Sequence, residues 1–268
     1  MNMLSSVTPW DMVAEGYSEV AMKSFQGYTD KALEILEIEP HHHVLDICCG
    51  PGTLALSAAK RARSVKAIDF SESMLTILDS SIKELALDNM EIHCGDAQAL
   101  PYDDNSFDAA YSMFGLMFFP DRAKGYSEIH RILKPGARTV ISSWAPVSQS
   151  PVMKAAFGGL RAMNPEIPEP QTAIDSLENP DFFKSELIDA GFKDVTVHGH
   201  TEHMQIDSVE DFWDNMIKGS APLVMMKSNM SEELWKEKNK IALEYLKEII
   251  SPDTQSLSAD AWLAVGTK

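Results

Sequence analysis

Val44-Leu45-Asp46-Ile47-Cys48-Cys49-Gly50-Pro51-Gly52-Thr53 decides the fold: an apolar run of strand length passes into a glycine turn, and helical spacing resumes at Thr53. Gly50 and Gly52 permit a tight turn and leave no Cβ in the way of a ligand approaching the backbone. The amides that open the following helix favour an anion by roughly 0.3–2 kcal/mol. Asp69 closes the next apolar run, 17 residues past Gly52, where a carboxylate is placed to grip two ribose hydroxyls. A glycine turn alone is as often structural as functional. With a strand before it, a helix after it and the acid in place, it points to a nucleoside cofactor.

Outward from this turn, short apolar runs alternate with helical patterns, the signature of βα units and a mostly parallel sheet. Strands are expected over residues 43–47, 65–69, 90–94, 107–112 and 138–144. Helices are expected over 53–62, 71–87 and 121–133, with Ser71 capping the second and Lys134-Pro135-Gly136 closing the third. This is a doubly wound α/β core. After Trp144 the pattern changes: residues 145–180 are rich in Pro, Ser and Met with one short helical patch. A helix over 181–190, a strand over 194–201, a capping box at Ser208 opening a helix to about Lys218, an amphipathic helix over 231–250 and a strand over 261–265 follow. The Met-rich stretch 223–230 reads as core or a pliant pocket wall.

The 268 residues are 44% hydrophobic and 24% charged, ordinary globular usage. No apolar run approaches the roughly 20 residues of a membrane span, and the N-terminus shows neither a basic region nor an apolar one that would mark a signal peptide, so a cytoplasmic protein is expected. Cys48, Cys49 and Cys94 are too few for a disulfide scaffold and are expected to be reduced thiols. The net charge of −17 is spread over both halves, 12 basic against 20 acidic residues in 1–150 and 11 against 20 in 151–268. Without a basic face, neither nucleic acid nor an anionic membrane is an expected partner. A small-molecule substrate is; the oligomeric state is left open.

Gly50-Pro51-Gly52-Thr53-Leu54-Ala55 also fits the dinucleotide fingerprint, which makes an NAD-type oxidoreductase the rival reading. Asp46 weighs against it, because an acid just before the turn repels a pyrophosphate and attracts an α-amino group or a sulfonium. Gly95-Asp96-Ala97-Gln98-Ala99-Leu100-Pro101 then follows the third strand and leads to Asp103-Asp104-Asn105-Ser106-Phe107-Asp108. With these motifs, Ala67-Ile68-Asp69 followed by Ser71-Glu72-Ser73-Met74-Leu75, and Arg131-Ile132-Leu133-Lys134-Pro135-Gly136, the chain resembles the class I S-adenosylmethionine-dependent methyltransferases, in the group of the ubiquinone/menaquinone-biosynthesis enzymes and their small-molecule relatives.

The resemblance implies a three-layer, Rossmann-like, seven-stranded and mostly parallel sheet whose last two strands form the reversed edge, with helical lid insertions. Residues 1–42 become an N-terminal helical lid, and 43–268 an S-adenosylmethionine-binding domain with cover insertions at 145–180 and 208–250. It places Asp46 and the turn containing Cys48, Gly50 and Gly52 around the methionine end of the cofactor. Asp69 goes to the ribose, Phe70 and Met74 beside the adenine, Asp96 and Ala97 at its edge, and Ser112 and Met113 at the sulfur end. Tyr17 is the candidate lid donor to the cofactor carboxylate. The implied activity is in-line methyl transfer to a small molecule, driven by proximity and desolvation; a non-catalytic S-adenosylmethionine-binding protein is the further alternative.

The chain departs from the family pattern at Cys48, where a first glycine is usual, and at Leu116-Met117-Phe118-Phe119, where relatives often carry histidines. An Asn-Pro-Pro-Tyr run, carried by members that methylate bases or amides, is missing, so those acceptors are disfavoured. An apolar lining around Met113 and Phe114 cannot take a proton, which favours an acceptor nucleophilic near neutral pH; no catalytic residue is assigned. Trp10 and Tyr28 join Tyr17 as aromatic lid candidates. His198, His200 and His203 read as solvated strand residues, and His41-His42-His43 as a polar lead-in to a strand, so no metal is expected; His200, His203 or Tyr17 stays open as a base that can swing in from the cover. Cys48 and Cys49 are adjacent, which is wrong for a redox pair.

Overall fold

Along β1 (His43–Ile47) Val44 faces one way and Leu45 and Ile47 the other, and all three are fully buried, so this strand needs a layer on each side. A computed structural model, which describes residues 3–170 and 174–268, shows both layers. The chain begins with α1 (Thr8–Gly16), a π-helical turn (Tyr17–Ala21) and α2 (Met22–Ile35). After β1 come α3 (Thr53–Ala59), β2 (Ser64–Asp69), α4 (Glu72–Glu84), β3 (Met90–Cys94), β4 (Phe107–Ser112), α5 (Arg122–Ile132) and β5 (Leu133–Trp144). The remainder is α6 (Pro151–Met163), α7 (Pro180–Asp189), β6 (Lys193–Gln205), α8 (Val209–Gly219), α9 (Ala221–Ser228), α10 (Glu232–Ile249) and β7 (Ser256–Thr267).

The strands form one seven-stranded sheet in the order β3-β2-β1-β4-β5-β7-β6, with β7 antiparallel to both neighbours and the pairs from β3 to β5 parallel. Leu33 of α2, Leu54 of α3 and Leu78 of α4 cover one face. Tyr126 and Ile129 of α5, with Phe183 and Leu187 of α7, cover the other. The strand order reverses between β1 and β4, and the crevice above the carboxyl ends at such a switch point is where open α/β sheets take ligands.

A separate apolar cluster joins α6, α8, α9 and α10 around Trp213, which is fully buried and donates Nε1–H to Asn239 Oδ1 at 2.7 Å. These helices fall within stretches 145–180 and 208–250 anticipated as cover; residues 171–173 of the first, and residues 1–2 of the N-terminal segment, lie outside the described residues. The expected short patch after Pro146 is a 13-residue helix, α6. Gly158 and Gly159 mask it in the sequence and have a packing reason: a Cβ would lie 2.4 Å from the Tyr245 hydroxyl at the first and 2.9 Å from the Trp213 ring at the second. The stretch 223–230 mostly forms α9, which buries Ala221 and Leu223.

Strands β6 and β7, 13 and 12 residues long, exceed the expected segments because they go on pairing with each other to Gln205 and Ser256, beyond the rest of the sheet. Strand β5 begins at Leu133 rather than 138, with an irregularity where Gly136 takes φ +82°. No helix among the described residues is long and apolar enough to cross a membrane.

Candidate functional site

A cleft of about 1380 Å³ opens above the carboxyl ends of the strands. Ordinary ligand pockets hold roughly 300–1,000 Å³, so this one has room for two molecules. Tyr17, Asp46, Cys48, Gly50, Asp69, Phe70, Met74, Asp96, Ala97 and Met113 all line it. Gly52 and Ser112 stand behind its wall: Gly52 sets the turn at φ +97° against Leu78, and Ser112 is fully buried.

The turn after β1 has an unusual backbone. Cys48, Gly50 and Gly52 take φ values of +57°, +53° and +97°, the left-handed region that suits glycine. Cys48 therefore occupies a glycine-like position with a side chain, and Gly115 makes room for it: a Cβ on Gly115 would sit 2.4 Å from the Cys48 Cβ. At Gly50 a Cβ would meet nothing within 4 Å, so the turn presents bare backbone to open space. Asp69 ties the turn down, accepting Gly50 N–H at 2.9 Å on Oδ2 and Ser71 N–H at 2.9 Å on Oδ1. Burial raises its carboxyl pKa, and these amides oppose the rise.

Asp46 carries the strongest local signal. It is 1% exposed; Ala55 N–H bonds its carboxylate, while Oδ2 is buried without a hydrogen-bond partner among the described residues. Burial, with the Asp69 charge adding to it against the Ala55 amide, pushes its pKa up to about 8. A buried acid aimed into a cleft with one oxygen unsatisfied is a receptor for a cation. Cys48 behaves differently: burial, then Asp69, pushes its thiol up, which keeps it protonated and poorly nucleophilic.

The N-terminal helices close one side. The π-helical turn puts Tyr17 in the cleft, stacked on Phe25 with centroids 5.6 Å apart; burial, then Asp69, raises its phenol. Gly16 permits this close fit, since a Cβ would lie 2.2 Å from the Lys218 carbonyl of α8. Asp11 of α1, which the sequence did not single out, accepts the Ser71 hydroxyl at 2.6 Å and so fastens α1 to the loop after Asp69. Trp10 lies 5.1 Å from the Phe118 ring. Tyr28 is buried with its hydroxyl donating to Ala259 O at 2.7 Å, a packing role.

Beyond Met113 the lining is aromatic and thioether: Phe25, Phe114, Met117, Trp144 and Phe157. Phe114 and Trp144 pack with centroids 4.2 Å apart. Yet this end is not wholly apolar, because Glu178, Glu202 and His203 also line the cleft. Glu202 Oε1 pairs with His200 Nε2 at 2.6 Å, while His198 Nε2 meets Thr196 Oγ1 at 3.0 Å. Of the three, His203 was visible in the sequence as one of the strand histidines, whereas Glu178 and Glu202 carry no local sequence signal, since each comes from a segment remote from the glycine turn. At the opposite end of the sheet, ligand atoms of Glu39, His41 and His42 lie within 4.8 Å of one another. Glu39 and His41 are largely exposed, and these groups already bond each other through Glu39 N–H to His42 Nδ1 at 3.1 Å.

A family model described as a methyltransferase domain matches residues 44–136. The demethylmenaquinone methyltransferase of Bacillus subtilis is 33% identical over 126 residues, 46% of this chain and 54% of the relative. That of Staphylococcus epidermidis is 30% identical over 197 residues, 68% of this chain and 80% of the relative. The chain thus spans little more than half the length of the Bacillus subtilis relative, at 54%. Among solved structures, a methyltransferase-like protein from Bacillus halodurans superposes with a TM-score of 0.59 at 19% identity, covering 90% of this chain and 99% of that one. Phosphoethanolamine N-methyltransferase 2 of Haemonchus contortus, solved with S-adenosyl-L-methionine, gives 0.55 at 18% identity over 90% of this chain and 52% of its own. At such identities the structural likeness establishes the fold.

Proposed function

The chain belongs to the class I S-adenosylmethionine-dependent methyltransferases of the menaquinone type, and from that premise we propose that it transfers a methyl group from S-adenosylmethionine to a small, planar and largely apolar acceptor. The observation that carries the proposal is Asp46, a buried acid with one unsatisfied oxygen, standing beside the bare backbone of Gly50 in a cleft whose far end is aromatic. These residues fit the cofactor: Asp46 holds its α-ammonium, Gly50 admits its methionine end, and Asp69 takes the ribose hydroxyls. Phe70 and Met74 flank the adenine, with Asp96 and Ala97 at its edge and Tyr17 over its carboxylate. A dinucleotide would instead set a pyrophosphate against Asp46. When bound, S-adenosylmethionine supplies a methyl carbon activated by a sulfonium.

The chain's own contribution is to position and to dry. The aromatic wall of Phe25, Phe114 and Trp144 orients a flat acceptor and excludes water from the point of attack. Residues 1–42, 145–180 and 208–250 act as lid and cover, and acceptor choice resides in them. The relatives' names specify demethylmenaquinone, and the cleft suits such an acceptor in its reduced form, because an oxidised quinone is an electrophile and a hydroquinone ring is electron-rich. The test is to incubate the full chain with methyl-labelled S-adenosylmethionine and a demethylmenaquinol. The expected result is label in the naphthoquinol ring with stoichiometric S-adenosylhomocysteine. Tight binding of S-adenosylhomocysteine without label transfer to this acceptor or to other planar phenols would overturn the assignment.

A further inference from the structure

Glu178 lies in the loop before α7 and faces the same cleft as Met117, Trp144 and Leu177. Its backbone is held on both sides: Trp262 Nε1–H donates to its carbonyl at 2.9 Å, and its N–H donates to Ser176 Oγ at 3.2 Å. Leu177, immediately before it, is 3% exposed in the sheet core, and Asn179, immediately after it, caps α7. Trp262 pairs with Ser143 across β7 and β5, so Glu178 is pinned above the carboxyl end of β5, on the far side of the switch point from Asp46, Asp69 and Asp96. Its carboxylate has no hydrogen-bond or ion-pair partner among the described residues, unlike Glu202, whose Oε1 is engaged by His200 and whose carboxylate packs against Gly27.

From this placement we propose that Glu178 is the general base for the acceptor, receiving a hydrogen bond from a hydroxyl on a planar, apolar body and taking its proton as the methyl group arrives. The inference rests on the methyl-transfer reading and adds the group that manages the acceptor's proton. The acceptor ring carbon, ortho to the hydroxyl, bonds to the methyl carbon, the electron pair of the broken carbon–sulfur bond goes to sulfur, and the hydroxyl proton passes to a Glu178 Oε. The dienone so formed then loses its ring C–H proton to water while Glu178 returns its proton to the oxygen, which restores the aromatic quinol and the free carboxylate. Burial raises the Glu178 carboxyl above the usual glutamate range, which brings it nearer to a phenol and favours the transfer. Among the charged and titratable groups of the elements around it, Asp175 lies in its own loop, Arg122 of α5 and Glu186 of α7 bind each other bidentately, and β6 carries His198, His200, Glu202 and His203.

The test uses the full chain with S-adenosylhomocysteine present and two probes, 1-naphthol and naphthalene. Wild type is expected to prefer 1-naphthol about tenfold, the worth of one charge-assisted hydrogen bond. E178L is expected to lose that preference, and E178Q, which keeps the shape and a neutral acceptor, to retain less than about threefold. Carbon-13 glutamate labelling gives a second readout: the carboxyl resonance missing in E178Q titrates above the other glutamates and moves when 1-naphthol is added. Full preference in E178L, no preference in wild type, or a resonance indifferent to 1-naphthol would each overturn the proposal. Failure of S-adenosylhomocysteine to bind wild type sinks the methyl-transfer reading instead, while the naphthol preference still reports on Glu178.

Discussion

The two ends of the cleft are built by different means. At the end above β1, β2 and β3, each functional residue comes from the carboxyl end of a strand or the turn just past it: Asp46 in β1 with Gly50 after it, Asp69 as the last residue of β2, and Asp96 just past β3. At the other end, Phe25, Trp144, Phe157, Glu178 and Glu202 arrive from segments separated by up to 177 positions and meet only through tertiary packing. The first end is polar, acidic and held by backbone amides; the second is aromatic, with few polar groups. An ordered turn can present the same charges to the same cofactor in many chains, whereas a wall assembled from remote segments is free to vary with the acceptor.

The comparison breaks most sharply at Asp69. Asp69→Ala removes the acceptor of two backbone amides and the candidate ribose ligand. Two charge-assisted bonds at roughly 1.5 kcal/mol each correspond to at least about a hundredfold in the dissociation constant of S-adenosylhomocysteine. Calorimetry on the variant measures it, and a loss under threefold would remove Asp69 from the cofactor end. A smaller effect sharpens the link between lid and cofactor loop. Asp11→Ala breaks the 2.6 Å bond from Ser71, worth about 1 kcal/mol, or about fivefold in affinity. Faster proteolysis within α1 should accompany the loss, and unchanged affinity with unchanged proteolysis would mean that α1 closes independently of the loop.

How much of this was legible in the sequence follows from the same contrast. The glycine turn, the two acids and the order of the strands are local patterns, and the core strands from residues 43 to 112 fall where period and turn residues put them. Cys48 was legible as a departure, but its compensation by Gly115, 67 positions away, was not, because it exists only as a close approach of two backbones. Helix α6 was hidden by Gly158 and Gly159, residues that weaken a helical pattern yet are needed where Tyr245 and Trp213 press against it. The polar alternation of β6 was visible over residues 194–201 and faded beyond, where pairing with β7 sustains the strand. Glu178 and Glu202 left no signal, since an acid in a loop or on an edge strand is ordinarily solvated. The sequence therefore suggested an apolar acceptor lining that only His200, His203 or Tyr17 could supply with a base, and the cleft brings two carboxylates to it as well.

The central claim is that Asp46 waits in the free protein for a cationic ligand group, and proton release on binding measures it directly. With a pKa of about 8, Asp46 is largely protonated at pH 7 in the free protein. An α-ammonium beside it lowers that pKa in the complex, so binding expels the proton. The sign follows: affinity rises with pH, about tenfold per unit, between the lowered pKa of the complex and about 8, and levels off above. Titrating S-adenosylhomocysteine calorimetrically at pH 6, 7 and 8, in buffers of different ionisation heat, should give nearly one proton released at pH 7 and tighter binding at each step. Binding that is independent of pH, with no proton released, would contradict the role assigned to Asp46 and with it the placement of the cofactor.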